Sequence, residues 1–274
     1  MINLYPLRSF RFPVIAECIN PDIFQSKTHE EIEKLNVWEG NKQKKLGELF
    51  KVEEITTENQ TEMTAITIHG SITEVRRIGA NMTNGEIVIH GDVGMHLGEK
   101  MKGGKITVHG NVGGWAGSTM KGGTIEIHGD AGHYLGAPYR GSSDGMRGGK
   151  IIVYGNVGNE AGAHMRKGII KIYGNAGQFV GFRMRNGIIY VQKDCEGRAG
   201  ACMTQGTIVI GGFLESVLPT FTIDGVRKKA KIEEDEIIQA PFYLFLGDLT
   251  ENGKGKLYVA KEKNPHLSHY ERLL

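Results

Sequence analysis

Histidine is the residue whose spacing first suggests chemistry in this sequence. His90, His109 and His128 recur at one constant interval, and Tyr154 and Tyr173 continue the same column. Imidazole nitrogens bind zinc, so three histidines on neighbouring segments form a candidate metal site. However, the column flanks buried strand residues and points outward, and a straight line of rings supplies no tetrahedral ligand set. The column therefore favours ring stacking or a contact surface.

A second column contains aspartate and asparagine, and acidic ladders of this kind can bind calcium. Each member follows a turn glycine, except Asp194, where Lys193 replaces it, and at such turns Asp and Asn side chains commonly hydrogen-bond their own backbone. Because the two residue types alternate irregularly, we interpret the column as part of a turn rather than as a calcium site. Its members are Asp92, Asn111, Asp130, Asn156, Asn175 and Asp194.

Other catalytic motifs are missing from the sequence. It has no nucleophile elbow, no H-E-x-x-H and no dinucleotide fingerprint, and its Gly-x-x-Gly turns lack the helix start and lysine of a phosphate loop. Cys18, Cys195 and Cys202 form neither a C-x-x-C pair nor a disulfide framework, and Cys195 lies in an inward column. We expect no catalytic, cofactor-binding or metal-binding residue in this chain.

The segment Ala137–Gly145 contains an insertion and is the best candidate for a specific contact. Turns of repeat proteins tolerate insertions, and these often serve binding. Exposed tyrosine and arginine are typical interface anchors, although a loop without a function fits the sequence equally well. The candidate partner contacts are Tyr139, Arg140, Ser142, Ser143 and Asp144, together with His90, His109 and His128.

A 19-residue repeat must position all of these side chains, and methionine marks its register. Glycine follows each marker methionine after three residues and isoleucine after five, and the insertion lengthens one interval by seven. The chain has 40 glycines, and a flexible glycine-rich linker would not keep isoleucine in one column, so the glycine-rich part is an ordered repeat. The marker methionines are Met82, Met101, Met120, Met146, Met165, Met184 and Met203.

Each unit has the pattern of one coil in a stack. Two apolar residues alternate, as at Ile87 and Ile89, which is typical of a short strand with one buried face. A single coil cannot bury its methionine and isoleucines, so the coils must stack. The unit also differs in length and pattern from the hexapeptide repeat of left-handed β-helices. We predict an all-β fold, a right-handed parallel β-helix of about seven coils.

Non-repetitive segments are predicted to cap this β-helix at both ends. The repeat domain is expected at residues 63–212, the N-terminal cap at 1–62 and the C-terminal cap at 213–274. In the N-terminal cap, Thr28 and Glu31 have the spacing of a capping box, which predicts a short helix.

Two further elements follow from the pattern near the ends of the repeat. Ala65–Gly70 has the pattern of a degenerate first coil. The apolar run Phe242–Leu246 and the segment Lys256–Val259, separated by a polar stretch, predict a β-hairpin with a long loop.

Composition narrows the functional classes. The sequence of 274 residues has 33 Lys and Arg against 31 Asp and Glu, and a net charge of +2 argues against a dedicated nucleic-acid-binding protein. No run approaches the length of a membrane span, and the first residues lack the pattern of a signal peptide. We therefore expect a cytoplasmic protein that binds neither membrane nor nucleic acid.

The repeat resembles two related domains. It is similar to the C-terminal domain of the large subunit of glutamate synthase and to the C subunit of formylmethanofuran dehydrogenase of the molybdenum or tungsten type. The flanks resemble the dehydrogenase C subunit, in Lys45–Val52 before the repeat and in Gly247–Val259 with Asn264, Pro265 and His266 after it. The resemblance covers nearly the whole chain.

This resemblance implies a non-catalytic structural subunit of an oxidoreductase complex. That complex reduces carbon dioxide and forms formylmethanofuran in the first step of methanogenesis. The molybdenum or tungsten pterin, the iron–sulfur clusters and an amidohydrolase metal site would belong to pterin-metal, ferredoxin-like and amidohydrolase-like partner subunits. The chain would present its outward strand faces, the insertion and its terminal segments to these partners.

Two rival functions remain open at this point. The chain could be a glutamate-synthase-like β-helix domain that works with amidotransferase partners. It could also be a free enzyme like the β-helical polysaccharide enzymes, although these need a groove of carboxylates and the outward acids here are scattered.

Overall fold

The computed structural model describes residues 1–54 and 64–274 of the chain, and these residues are mostly β. Two short helices, α1 (Pro21–Phe24) and α2 (His29–Glu33), lie near the N-terminus. Three 3₁₀ segments span Leu46–Glu48, Leu249–Glu251 and Pro265–Leu273. The strands are β1 (Ile2–Pro6), β2 (Val14–Ile15), β3 (Asn36–Glu39), β4 (Lys42–Lys45), β5 (Phe50–Glu54), β6 (Ala65–His69), β7 (Val75–Arg76), β8 (Glu86–His90), β9 (Lys105–Val108), β10 (Thr124–Ile127), β11 (Arg147–Val153), β12 (Lys167–Ile172), β13 (Ile188–Val191), β14 (Thr207–Ile210), β15 (Thr222–Lys231), β16 (Ile237–Gly247) and β17 (Gly255–Ala260).

A 13-stranded sheet runs through the molecule in the order β15-β16-β17-β14-β13-β12-β11-β10-β9-β8-β6-β1-β5. From β1 to β17 its neighbouring strands are parallel, and each repeat unit contributes one strand. Ile87 pairs with Ile106, and Ile106 pairs with Ile125, so the isoleucine column of the sequence is a ladder across the sheet. Ile66 of β6 pairs with Ile87, so the ladder begins one strand before the repeat, in the segment predicted to be a degenerate first coil.

The apolar columns predicted to point inward form the core. All seven marker methionines are fully buried, and so are the isoleucines of the strand ladder. A second ladder of single parallel bridges joins the small apolar residue of each coil to that of the next, from Ile72 through Val93 and Cys195 to Leu214. Because like residues stack on like, each coil supplies the packing partners that its neighbour lacks.

The aspartate and asparagine column has a different hydrogen-bond partner from the one predicted. Asp92 Oδ1 accepts a hydrogen bond from the backbone N–H of Asn111 at 2.7 Å, and Asn111 Oδ1 accepts from Asp130 N–H at 2.8 Å. The pattern continues to Asp194, which accepts from Phe213 N–H at 2.8 Å. The prediction that these side chains bond their own backbone was wrong, because the next coil brings an unpaired N–H closer. The column therefore ties coil to coil.

The N-terminal segment extends the fold with a second, four-stranded sheet of order β4-β3-β2-β7. The predicted capping box is present, since Thr28 Oγ1 accepts from Glu31 N–H and Glu31 accepts from Thr28 N–H at 2.8 Å. The capping box begins α2 at His29. The predicted boundary between residues 62 and 63 lies outside the described residues, and the division into three domains stays a prediction.

The C-terminal segment contains the predicted hairpin, in which β16 and β17 pair antiparallel and β17 continues the sheet beside β14. A longer hairpin, β15–β16, was not predicted. Its tip lies against the outer face of the sheet, where Glu233 and Glu236 bind Lys171 and Glu233 also binds Lys150 at 2.5 Å. The expectation that the outward strand faces are free for partners is thus wrong here, because the chain covers them itself.

None of the helices in residues 1–54 and 64–274 has the length and apolar character needed to cross a membrane.

Candidate partner-binding surface

The histidine column forms a stack of rings along one edge of the sheet. Ring centroids are 5.0 Å apart between His90 and His109 and 4.9 Å apart between His109 and His128. Tyr154 and Tyr173 continue the stack at 4.9 and 5.3 Å. All three histidines are exposed, so the predicted outward orientation is confirmed.

The stack also extends toward the N-terminus, beyond the residues that the repeat identifies. His69 stacks on His90 at 5.5 Å, and Tyr5 stacks on His69 at 4.5 Å with its ring nearly parallel. Tyr5 belongs to β1, which lies outside the repeat, so its position depends on the pairing of β1 with β6. We define the ring column as Tyr5, His69, His90, His109, His128, Tyr154 and Tyr173.

Stacking decides what the ring column can do chemically. A nitrogen lone pair lies in the plane of its imidazole ring, and a metal ion must sit about 2 Å from that nitrogen. Two parallel rings 5.0 Å apart, such as His90 and His109, cannot point their lone pairs at one ion. In the described ranges, 1–54 and 64–274, no group of three or more His, Cys, Asp or Glu side chains is arranged to hold a metal. The residues therefore do not fit a metal centre, whereas flat exposed rings suit a contact surface.

The insertion folds back onto earlier coils through Tyr139. Its hydroxyl donates to Glu99 Oε2 at 2.7 Å and accepts from Arg77 Nη2 at 3.1 Å, and its ring stacks on His96 at 5.1 Å. Burial and the Glu99 carboxylate raise the pKa of Tyr139 to about 12. Tyr139 was predicted to be an exposed anchor and is instead half-buried, because Glu99 is itself buried and needs a donor.

A second stack of rings lies beneath this loop and was not predicted from the sequence. His96, Trp115 and Tyr134 occupy the same position in three successive coils, with centroids 5.4 and 4.4 Å apart. All three adopt left-handed backbone conformations, with φ of 63°, 60° and 66°. Other coils have Arg, Glu or Phe at this position, so no constant residue type marks it in the sequence.

The remaining candidate residues of the insertion are more exposed. Arg140 donates to the Tyr134 hydroxyl at 3.0 Å, and its guanidinium lies over the Tyr134 ring. Ser142 Oγ accepts from the N–H of Asp144 at 3.2 Å, and Ser143 is exposed. The structure thus brings Tyr139 and Arg140 onto the second ring stack but does not bring the insertion onto the ring column.

Two of the three cysteines, Cys18 and Cys195, are poor nucleophiles. Burial raises the pKa of Cys18 to about 12 and that of Cys195 to about 12. Cys195 is buried in the bridge ladder, as its column predicts. A thiol reacts as its thiolate, so neither residue is activated for covalent chemistry at neutral pH.

A groove of about 970 Å³ lies between the β15–β16 tip and the strands beneath it. Lys150 and Glu233, which line this groove, already form an ion pair. This ion pair, together with the contacts of Glu233 and Glu236 to Lys171, holds the hairpin tip against the strands. The groove is consistent with a structural role of the hairpin.

Replacing Tyr139 by phenylalanine should release the insertion. The buried Glu99 carboxylate then loses a hydrogen bond, and bonds to charged groups contribute about 1.5–3 kcal/mol. Hydrogen exchange of residues 137–145 should therefore speed up about 10-fold or more, since about 1.4 kcal/mol is a factor of ten. Tyr154→Phe removes an equivalent hydroxyl, bonded to Glu126 at 3.2 Å, from an exposed ring and should leave the insertion unchanged. Equal hydrogen exchange of residues 137–145 in the two variants would show that the Tyr139 hydroxyl does not hold the insertion in place.

Comparison with known proteins identifies the family. The C subunit of tungsten-containing formylmethanofuran dehydrogenase 2 from Methanococcus maripaludis is 51% identical over 261 residues, which cover 93% of this chain and 94% of that protein. This chain belongs to the family of formylmethanofuran dehydrogenase C subunits. The match decides between the two resemblances seen in the sequence, in favour of the dehydrogenase. No protein-family model matches the sequence.

Two further relatives extend this comparison. The C subunit of molybdenum-containing formylmethanofuran dehydrogenase 1 from Methanothermobacter marburgensis is 44% identical over 95 residues, which cover 35% of this chain and 23% of that protein. A chain in the crystal structure of the formyltransferase/hydrolase complex FhcABCD from Methylorubrum extorquens, solved with methylofuran, has a TM-score of 0.82. It is 28% identical and is matched over 94% of this chain and 99% of its own length. Members of the family thus belong to complexes of several subunits.

Proposed function

We propose that this chain is the non-catalytic structural subunit of a formylmethanofuran dehydrogenase complex. The complex would reduce carbon dioxide and form formylmethanofuran in the first step of methanogenesis. One observation carries the proposal: the coil interior is filled by packed Met and Ile columns, and Cys195, the thiol within it, has a pKa raised by burial. A chain of this kind offers surfaces rather than a reaction site.

The same proposal includes the form of the scaffold, a right-handed parallel β-helix with caps at both ends. Parallel pairing in constant register supports it, as do the bridge ladder from Ile72 to Leu214 and the hydrogen bonds between coils. Such a rod is stiff because each coil is held on both sides by its neighbours. Stiffness suits a subunit that holds others in a fixed arrangement.

Under this proposal the cofactors belong to partner subunits. The relatives named above are described as tungsten- or molybdenum-containing enzymes, and the residues described here offer no cluster of metal ligands. A pterin-metal subunit, an amidohydrolase-like subunit and ferredoxin-like subunits would supply the redox and hydrolytic chemistry. The ring column and the exposed part of the insertion, from Arg140 to Asp144, are the surfaces that we propose for contact with them.

Native purification of the tagged chain from its own cells tests this function. The proposal expects a pterin-metal subunit and an amidohydrolase-like subunit in the same complex, identified by mass spectrometry. Elemental analysis should find molybdenum or tungsten in the complex and none in the separately expressed chain. Formylmethanofuran should be formed by the complex and not by this chain alone. A stable monomer without affinity for any partner, or activity of the lone chain, would refute the proposal.

A further inference from the structure

A column of basic residues runs along the turn that follows each marker methionine. The residue after the methionine donates its backbone N–H to the methionine carbonyl of the preceding coil at 2.7–2.8 Å, so these residues lie one above another. In five successive coils this residue is Lys102, Lys121, Arg147, Arg166 or Arg185. Lys100 and Arg183, just before the methionine, flank the column. We define the basic stripe as these seven residues.

Much of this positive charge is unpaired among the residues that the structure describes. Lys100 pairs with Glu99 at 3.5 Å, and Asp144 of the insertion pairs with Arg147 at 2.6 Å and Arg166 at 3.1 Å. Within residues 1–54 and 64–274, the stripe residues that form no ion pair are Lys102, Lys121, Arg183 and Arg185. The whole chain has a net charge of only +2, so the stripe is a local concentration of positive charge.

The stripe ends at a recess of about 240 Å³ whose lining includes two arginines. Arg183 and Arg185 line it together with the side chain of Thr204, against the single carboxylate of Glu251. The remaining lining residues are Ser143, His164 and Cys202. Beside this recess, His164 Nδ1 and Arg166 Nε are buried without a hydrogen-bond partner.

Asp144 indicates which anion the stripe takes. Its carboxylate lies between Arg147 and Arg166, and the hydrogen bond from Arg147 holds the pKa of Asp144 below its usual range. The chain thus fills the middle of the stripe with its own carboxylate and leaves both ends open. Arginine also favours carboxylates, since its planar fork matches their two oxygens.

We propose that the basic stripe docks an acidic helical segment of a partner subunit, with one of its carboxylates in the recess beside Arg183 and Arg185. Stacked coils lie about 4.8 Å apart, and acidic side chains at every third or fourth helix position rise by about 4.5–6 Å along the axis. Alternate residues of an extended strand are about 6.6 Å apart, so their spacing does not match the distance of about 4.8 Å between coils. The inference rests on the proposed function, because it needs a complex in which a partner is present.

Zero-length cross-linking of the intact complex tests the site. A carbodiimide joins a lysine amine directly to a carboxylate, so Lys102 and Lys121 should each be joined to one partner subunit. The carboxylates joined should be three or four residues apart, or a multiple of this, in the partner sequence. Lys228 and Lys229, which are exposed on β15 outside the repeat, provide the control and should not be joined to the same segment. Cross-links from the stripe to no partner, or to scattered carboxylates, would overturn the helical segment.

Charge reversal tests the energetics. The double variant Arg183→Glu with Arg185→Glu should associate with the remaining subunits at least about 10-fold more slowly at low salt, and the difference should shrink as salt screens the charges. Lys228→Glu with Lys229→Glu makes the same change in net charge elsewhere and should associate like the wild type. Equal rates for the two double variants would overturn the stripe as a docking site. The docking site would also be refuted if the wild-type chain retained a nucleic acid instead of a subunit, and if only the arginine variant lost that nucleic acid.

These results separate the inference from the function on which it rests. If the wild-type chain assembles with its partners and the arginine variant assembles equally well, only the stripe is wrong. If the wild-type chain assembles with no partner, the proposed function itself fails.

Discussion

Replacing Gly123 by alanine should lower the free energy of unfolding by about 2–5 kcal/mol. Gly123 has φ of +83°, where a side chain costs about 1–2 kcal/mol in the left-handed region. An added Cβ would also lie 2.7 Å from Met101 Cε and 2.8 Å from the carbonyl oxygen of Gly104 in the preceding coil. Overpacking of this kind adds about 1–3 kcal/mol. Because that coil is locked into the sheet register, it cannot move away without breaking its own ladder.

Gly141 provides a control with nearly the same backbone conformation. Its φ is +86°, yet an added Cβ would meet no atom within 4 Å. Gly141→Ala should therefore cost only about 1–2 kcal/mol, the left-handed penalty alone. Thermal unfolding followed by circular dichroism should resolve the two, since 1 kcal/mol corresponds to about 2–4 °C in a domain of this size. Equal melting temperatures for the two variants would mean that the distance to the preceding coil does not restrict the residue type at Gly123.

The interior of the coils could be predicted from the sequence because the same residue type occupies the same buried position in every repeat unit. Met101 and Ile106 each face the core one coil away from an identical residue, so a column of one residue type reports one environment. Burial, strand position and register all follow from that repetition. The capping box at Thr28 and Glu31 was equally legible, because it depends on residues only three positions apart.

Features that depend on distant parts of the chain could not be predicted in this way. Tyr139 finds Glu99 forty residues earlier, and Lys171 finds Glu233 across the outer face of the sheet. The residues of both pairs can be read in the sequence, but no local sequence pattern indicates that they meet. Neither the fold of the insertion back onto earlier coils nor the bend of the β15–β16 hairpin over the strands has such a pattern. The unpredicted contacts are those that decide which surfaces remain free.

The candidate surfaces show the same division. The three histidines were found because they share a residue type, whereas Tyr5 joins their stack only through the pairing of β1 with β6. The basic stripe was overlooked although its members follow every marker methionine from Met101 to Met184. The first two of these residues are lysines and the next three are arginines, and a search for one constant residue type misses a column that keeps only its charge.

Replacing Asn264 by alanine should destabilise the chain by at least about 3 kcal/mol, because each buried backbone group left unpaired costs about 1–3 kcal/mol. Within the repeat, the residue at the Leu214 position donates its N–H to a carbonyl of the next coil, as Cys195 does to Phe213 at 2.9 Å. After the last coil no such carbonyl follows. Asn264 Oδ1 accepts from Leu214 N–H at 2.8 Å instead, and Asn264 Nδ2 donates to the carbonyls of Gly212 at 2.9 Å and Ala260 at 2.7 Å.

The buried side-chain amide of Asn264 thus makes the hydrogen bonds that the peptide group of a further coil would make. Two variants test whether both the oxygen and the nitrogen of this amide are needed. Asn264→Asp keeps the acceptor for Leu214 but turns a carboxylate oxygen toward the carbonyls of Gly212 and Ala260, so it should melt as low as Asn264→Ala. Lys263→Ala, at the exposed neighbouring position, should melt like the wild type. Hydrogen exchange should localise the loss to the Leu214 amide and to the last coil. A variant at Asn264 that keeps both the melting temperature and the protection of Leu214 would show that the coil end closes without this residue.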